Sequence, residues 1–185
     1  MEHFFNKIEG WFTFPNLYSH VVSRFSEGSK FIEIGSWLGQ SAAYMATEIA
    51  NSNKNIDFYC VDLWENNEEY KNESVVIEDK FYQTFLKNIE PVKDFIKPIK
   101  SASLDAVNQF EDEYFDFIFI DAAHDYDNVK KDINAWFPKI KKNGIFAGHD
   151  YVYTHTGVIQ AVDEWCRENN RKIETQENCW IYLNN

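Results

Sequence analysis

The sequence predicts an α/β protein: a doubly wound, mostly parallel seven-stranded sheet with helices on both faces and a C-terminal antiparallel hairpin. Three observations carry that prediction. Apolar, β-branched runs alternate along the chain with segments of helical periodicity, as in a parallel sheet wrapped by its own crossovers. One run, YFDFIFID (114–121), is apolar almost throughout, as expected of a strand covered on both faces. The chain closes with KIETQ and CWIYLN on either side of a polar turn, which reads as a hairpin.

Taken in order, residues 1–29 form a helical cover ahead of the first strand, KFIEIG (30–35). SWLGQSAAYMATEIA continues as an Ala-rich helix, and NIDFYCVDLW (55–64) is the second strand. The polar stretch at 65–77 reads as a flap, followed by an amphipathic helix over 78–89 with Phe81, Phe85 and Ile89 four apart on one face. VKDFIK, bracketed by Pro91 and Pro98, is a short strand, and SASLDAVNQF (101–110) is a serine-capped helix. After the strand at 114–121, YDNVKKDINAWFPKI is a helix ending near Pro138, and NGIFAGHD (143–150) is a turn and strand. GVIQAVDEWCREN is the last helix, with Thr156 as its expected cap. No repeat or linker interrupts this order, so one domain over 1–185 is expected.

Composition narrows the function classes. A formal net charge of −12 repels phosphate backbones and anionic bilayers, so neither nucleic acid nor membrane is an expected partner. No apolar run approaches the ~20 residues of a membrane span, and MEHFFNKIEGWFTF lacks the layout of a secretory signal. The expectation is a cytoplasmic protein that binds a small molecule. Cys60, Cys166 and Cys179 show no C-x-x-C spacing and read as reduced structural thiols. Trp11, Phe12 and Phe14 read as core or as homodimer contacts, and the acceptor pocket is expected to be shaped by this segment and the flap.

Ligands of such sheets sit beyond the carboxyl ends of the strands. There FIEIGSWLGQS places Glu33, Gly35, Ser36, Gly39 and Ser41 in one strand-to-helix turn. Gly35 lets the backbone turn without a Cβ, Gly39 allows close strand–helix packing, and the helix start favours a negative group. The spacing Gly35-x-x-x-Gly39 is not the dinucleotide pattern G-x-G-x-x-G. An amino-acid moiety such as methionine, with its carboxylate and ammonium, suits the turn better than a pyrophosphate. Asp62 closes the second strand, where an acid commonly binds both ribose hydroxyls. The alternative is that Glu33 and Asp62 are solvated strand ends.

A second constellation lies at the ends of the next two long strands, IDAAHDY and AGHDY. Adjacent parallel strands would bring Asp121, His149 and Asp150 together, able to share one divalent cation. Carboxylates favour Mg²⁺ or Mn²⁺, while the histidine tilts the set toward transition metals. Otherwise Asp150 caps a turn and His149 packs in the crevice.

FIEIGSWLGQSAAYMA, CVDLW, SASLDAV, FIFIDAAHDY and GIFAGHDY together resemble the successive motifs of class I S-adenosylmethionine-dependent methyltransferases. The resemblance runs from about Lys30 to Trp165 and is nearest to small-molecule O-methyltransferases of the catechol and macrolide-sugar types. It implies a Rossmann-like fold with S-adenosyl-L-methionine as cofactor. It also implies that Gly35 and Ser36 line the methionine part and that Ser41 holds its carboxylate. Asp62, with Leu63 beside it, would meet the ribose, and Trp64 would cover ribose or substrate, unless Trp64 is a buried aromatic at the mouth. Ser103 would lie near the adenine, Asp121 would be shared between cofactor and cation, and Glu33 would order the turn rather than react. Metal-dependent relatives bind Mg²⁺ with acids at these strand ends, and His149 stands where they often carry an acid. His124 matches the position of a lysine base in catechol-type relatives. An imidazole there can take a hydroxyl proton near neutral pH, or it can support the following helix.

The expected activity is therefore O-methylation of a small hydroxylated metabolite, sugar or phenol, with Asp121 and His124 as catalytic groups and divalent-cation assistance. The competing readings are a non-catalytic cofactor-binding domain and an NAD-dependent dehydrogenase, the latter disfavoured by the missing middle glycine.

Overall fold

The computed structural model describes residues 1–65 and 80–185. Apart from Glu65, the expected flap at 65–77 lies outside the described residues. Seven strands form one sheet: β1 (Lys30–Ile34), β2 (Asp57–Asp62), β3 (Lys97–Lys100), β4 (Phe115–Ile120), β5 (Ile140–Gly148), β6 (Glu174–Gln176) and β7 (Cys179–Leu183). Their order is β3-β2-β1-β4-β5-β7-β6. The first five are mutually parallel, and β7 runs antiparallel to both β5 and β6. The strand order reverses between β1 and β4, which makes the space above their carboxyl ends the switch-point crevice.

Period-two alternation along the strands divides the core. Phe31 of β1 and Phe117 and Phe119 of β4 pack with helices α1 (Pro15–Arg24) and α2 (Gln40–Ser52) and with α3 (Phe81–Asn88). Ile32, Ile34, Ile118 and Ile120 belong to the opposite layer, with Trp136 of α5 (Tyr126–Trp136) and Trp165 of α6 (Thr156–Glu168). These side chains are essentially inaccessible, so each contributes about 1.5–3 kcal/mol by leaving water. On α2 the inward residues Ala42, Ala43 and Ala46 are small, which lets the helix lie close to the sheet and fixes the turn before it.

Several local expectations need correction. The stretch between the prolines is a 3₁₀ segment, Glu90–Phe95, and the strand follows it, taking in Pro98. Within the sheet β3 pairs only with β2, and an edge strand tolerates the missing N–H. SASLDAVNQF gives only a short helix, α4 (Ser103–Ala106), and a 3₁₀ turn, Val107–Gln109, with no side-chain cap. His155, not Thr156, occupies the N-cap of α6. Gly39 packs not against a strand but against α3 and the residue after it: an added Cβ would meet Ile89 Cγ2 at 2.9 Å and Phe85 at 3.1 Å. Among the described residues, no helix is long and apolar enough to cross a membrane.

Candidate functional site

The strand tips align in register. Ile34 pairs with Ile120 and Ile120 with Gly148, so the next residues, Gly35, Asp121 and His149, stand at one level. Above them opens a cavity of about 990 Å³, ample for a nucleoside-sized ligand. Of the predicted site residues, Gly35, Ser36, Ser41, Asp62, Leu63, Ser103, Asp121, His124, His149 and Asp150 line it; Glu33, Gly39 and Trp64 do not.

The first turn is built for close approach between two backbones. Gly35 has φ of 88°, and an added Cβ would lie 2.0 Å from the Asp121 carbonyl oxygen. The glycine is required both by its left-handed conformation and by the neighbouring strand tip. Asp62 holds the turn that follows. Its Oδ2 accepts the N–H groups of Ser36 and Trp37, each at 2.9 Å, and its Oδ1 accepts that of Trp64 at 2.8 Å. Asp62 thus orders the turn through the turn's backbone N–H groups and also faces the cavity, while Glu33 meets the Ser36 and Ser41 hydroxyls of the same turn from beneath.

Glu33 is 1% exposed. Period two points it into the α1–α2 layer, where Tyr18 donates a 2.6 Å hydrogen bond to its Oε2. Burial raises its pKa to about 7 against the opposing pull of the Tyr18, Ser36 and Ser41 hydroxyls. Trp64 is also buried: it donates from Nε1 to the Trp37 carbonyl at 2.8 Å and packs its ring on Tyr82 and Phe85. It is a core residue beneath the mouth rather than a cover for a ligand.

Opposite this turn the tips of β4 and β5 bring two acids and two histidines together, and a third histidine joins them. His149 Nδ1 lies 3.2 Å from Asp150 Oδ1 and 3.6 Å from Asp121 Oδ1. Its Nε2 is 2.9 Å from Thr13 Oγ1, so the hydroxyl sets which ring edge faces the acids. Burial alone would lower the His149 pKa, but the two carboxylates outweigh it and raise it to about 9. The arrangement calls for positive charge between His149 and the carboxylates, supplied by a proton on Nδ1 or by a cation in its place. Asp150, with φ of 59°, also bonds His124 Nε2 through Oδ2 at 2.8 Å. Although burial opposes it, His124 and His149 hold the Asp150 carboxyl well below the usual carboxylate range.

Sequence reasoning missed three contributors. Thr13 reaches the site from the N-terminal segment. Gln40 anchors that segment, accepting from Phe12 N at 2.9 Å and donating to Ile8 O at 2.8 Å. Asp132 on α5 is 5% exposed, lines the cavity and accepts a 2.5 Å bond from Ser103 Oγ, which in turn accepts from Trp136 Nε1. The only sequence signal for any of these was the expectation that residues near the N-terminus shape the pocket.

A cavity over the switch point of this sheet, with one glycine turn and acids at successive strand tips, defines the class I S-adenosylmethionine-dependent methyltransferase architecture. Comparison with known proteins agrees. The methyltransferase domain family matches residues 32–151, and the chain belongs to it. A curated relative from Sinorhizobium fredii (strain NBRC 101917 / NGR234), the uncharacterized protein y4gI, is 22% identical over 148 residues, or 80% of this chain. The chain spans only 16% of that relative's length. Among solved structures, the O-methyltransferase NovP superposes with a TM-score of 0.71 at 12% identity, over 91% of this chain and 78% of NovP. A caffeoyl-CoA O-methyltransferase candidate from Staphylococcus aureus gives 0.68 at 15% identity, over 97% of this chain and 87% of its own.

The residues present fit S-adenosylmethionine. The Ser36 hydroxyl is buried toward Glu33 and Cys60, while Ser41, Ser103 and the Asp62 carboxylate line the cavity. These donors and acceptors suit a zwitterionic amino acid joined to a nucleoside. The donor set Asp121, His149 and Asp150, whose ligand atoms lie within 4.8 Å of one another, likewise fits a divalent cation.

Proposed function

We propose that the domain methylates a hydroxyl group of a small acceptor, a sugar or a phenol, using S-adenosylmethionine and a divalent cation. The observation that carries this reading is the convergence of Asp121, His124, His149 and Asp150 on the cavity that also holds the glycine turn. The O-methyltransferase names of the structural neighbours support the choice of oxygen as acceptor atom. When bound, the cofactor supplies an electrophilic methyl group on a sulfonium sulfur.

The chain's own residues supply orientation, charge and a proton acceptor. Ser36 and Ser41 bind the amino-acid end, Asp62 meets the ribose while holding the turn, and Ser103, Asp132 and Leu63 border the base. Fixing both reactants in line is worth several kcal/mol of barrier. Asp121, His149 and Asp150 would hold the cation, which supplies Lewis acidity to the acceptor oxygen. His124 takes the hydroxyl proton, and Asp150, 2.8 Å from its Nε2, stabilises the imidazolium that forms. Trp11, Phe12 and Phe81 give the cavity an aromatic wall against which an acceptor ring packs.

The test is methyl transfer from labelled S-adenosylmethionine to a panel of phenols and sugars, with wild type and His124→Ala compared at saturating cofactor. The expected result is turnover that falls about 10²–10⁴-fold in the variant with unchanged cofactor affinity. Failure of the wild type to bind S-adenosylmethionine, or equal turnover by His124→Ala, refutes the assignment. Undiminished turnover after exhaustive EDTA treatment removes the cation from it.

A further inference from the structure

We propose that His124, Asp150 and His155 form a second metal site, one that takes a borderline divalent ion such as Zn²⁺ or Co²⁺. His124 follows β4, Asp150 follows β5 and His155 caps α6, so three separate segments converge. Asp150 Oδ2 lies 2.8 Å from His124 Nε2, and Asp150 Oδ1 lies 3.6 Å from His155 Nδ1. All three donors fall within 4.8 Å of one another. Ligand atoms about 2.0–2.1 Å from a tetrahedral ion stand ~3.4 Å apart, so the two measured separations bracket the required one. The imidazoles lie side by side, centroids 4.6 Å apart at 40°, and an ion would take the place of the Thr154 hydroxyl that lies 3.2 Å from His155 Nδ1. The three side chains are 20%, 17% and 35% exposed, which gives an ion access from the cavity and leaves coordination positions for water.

Donor chemistry separates this set from its neighbour. Asp121, His149 and Asp150 offer two carboxylates and one imidazole, the composition better suited to a hard ion. Two imidazoles and one carboxylate instead suit Zn²⁺, Co²⁺ or Fe²⁺, while Mg²⁺ demands oxygen ligands and gives up its water reluctantly. Asp150 belongs to both sets, and these five side chains carry only two carboxylates, so the two occupancies compete, and the borderline ion prevails over Mg²⁺ because imidazole donors favour it. Where the methyl-transfer reading holds, an ion here also converts His124 from proton acceptor to ligand and acts as an inhibitor. The binding itself does not depend on that reading.

Cobalt tests the site without cofactor or acceptor. The metal-free full chain is titrated with Co²⁺, following the visible d–d absorption and the bound metal after dialysis. One ion per chain is expected. His155→Ala should weaken binding about tenfold or more, and by clearly more than Asp121→Asn, whose carboxylate acts on this ligand set only through its charge. Zn²⁺ should bleach the absorption, and a hundredfold excess of Mg²⁺ should leave it. His155 is partly exposed, so its alanine variant is expected to fold, and circular dichroism verifies this; His124→Gln provides a second variant with the same expected loss. Unaltered Co²⁺ affinity in both histidine variants, displacement by Mg²⁺, or no bound Co²⁺ in the wild type overturns the proposal. Each of those results leaves the methyl-transfer assay untouched, so the two readings fail separately.

Discussion

Asp62 offers the sharpest test of how the cofactor turn is held. The substitution Asp62→Asn keeps the size of the side chain and one acceptor. Oδ2 receives the Ser36 and Trp37 N–H groups and Oδ1 receives that of Trp64. If the amide oxygen takes the place of Oδ2, the new NH₂ faces the Trp64 N–H, donor against donor. A hydrogen bond to a charged acceptor contributes about 1.5–3 kcal/mol, and a stranded donor costs a similar amount. The expected loss is therefore about 2–3 kcal/mol, a sizeable part of the ~5–15 kcal/mol that keeps a domain folded. Asp62→Ala strands three donors and should cost more. Urea unfolding at neutral pH gives the stability change, and calorimetry with S-adenosylhomocysteine gives the affinity. The Asn variant should unfold at clearly lower urea and bind more weakly. An unchanged urea midpoint with lost affinity would refute the turn-holding role and leave Asp62 as a ligand contact alone.

Two further predictions rest on the same cavity. Gly35→Ala places a Cβ 2.0 Å from the Asp121 carbonyl oxygen at a φ of 88°; left-handed strain of about 1–2 kcal/mol plus about 1–3 for overpacking should lower the melting temperature by roughly 4–20 °C, and a melt within about 2 °C of wild type would exclude that contact. Burial raises the Asp132 pKa from 3.8 to about 6 against the Ser103 bond, so the folded state binds the extra proton and stability falls as pH rises through that window, by on the order of 3 kcal/mol. Asp132→Asn, which retains an acceptor for Ser103, should abolish this fall and be at least as stable as wild type at pH 7; a parallel pH profile in urea unfolding would contradict the assignment.

Residues whose position follows from local pattern were legible in the sequence. An apolar run that ends in polar residues marks a strand's carboxyl end, and this alone placed Asp62, Asp121, His149 and Asp150 at one edge of the sheet. Adjacency of β4 and β5 then brought the last three together. Side-chain direction was less accessible. Glu33 and Asp62 both belong to strand ends, yet Glu33 is one residue further back from its tip, and period two sends it into the helix layer toward Tyr18. Trp64 turns into the core because its indole N–H meets the Trp37 carbonyl, a partner on a different loop. Pro98 reads locally as the end of a strand, and only its place at the sheet edge explains why the strand runs through it.

Thr13 shows why the remainder could not be read from the chain. It lies 136 positions from His149, and the 2.9 Å contact exists because Gln40 and the packed rings of Phe12 and Phe14 hold the N-terminal segment over the cavity. That contact fixes which edge of the imidazole faces Asp121 and Asp150, and so fixes a nitrogen, rather than a ring face, beside both carboxylates. Asp150 is then the acid that meets all three histidines of the cluster, His149, His124 and His155, at 3.2, 2.8 and 3.6 Å. On the reading proposed above, a hard ion drawn toward Asp121 would leave His124 paired with Asp150 and competent to accept a proton. A borderline ion drawn toward the two outer imidazoles would take that competence away. The same five side chains would then make the chemistry of the pocket depend on which ion reaches Asp150.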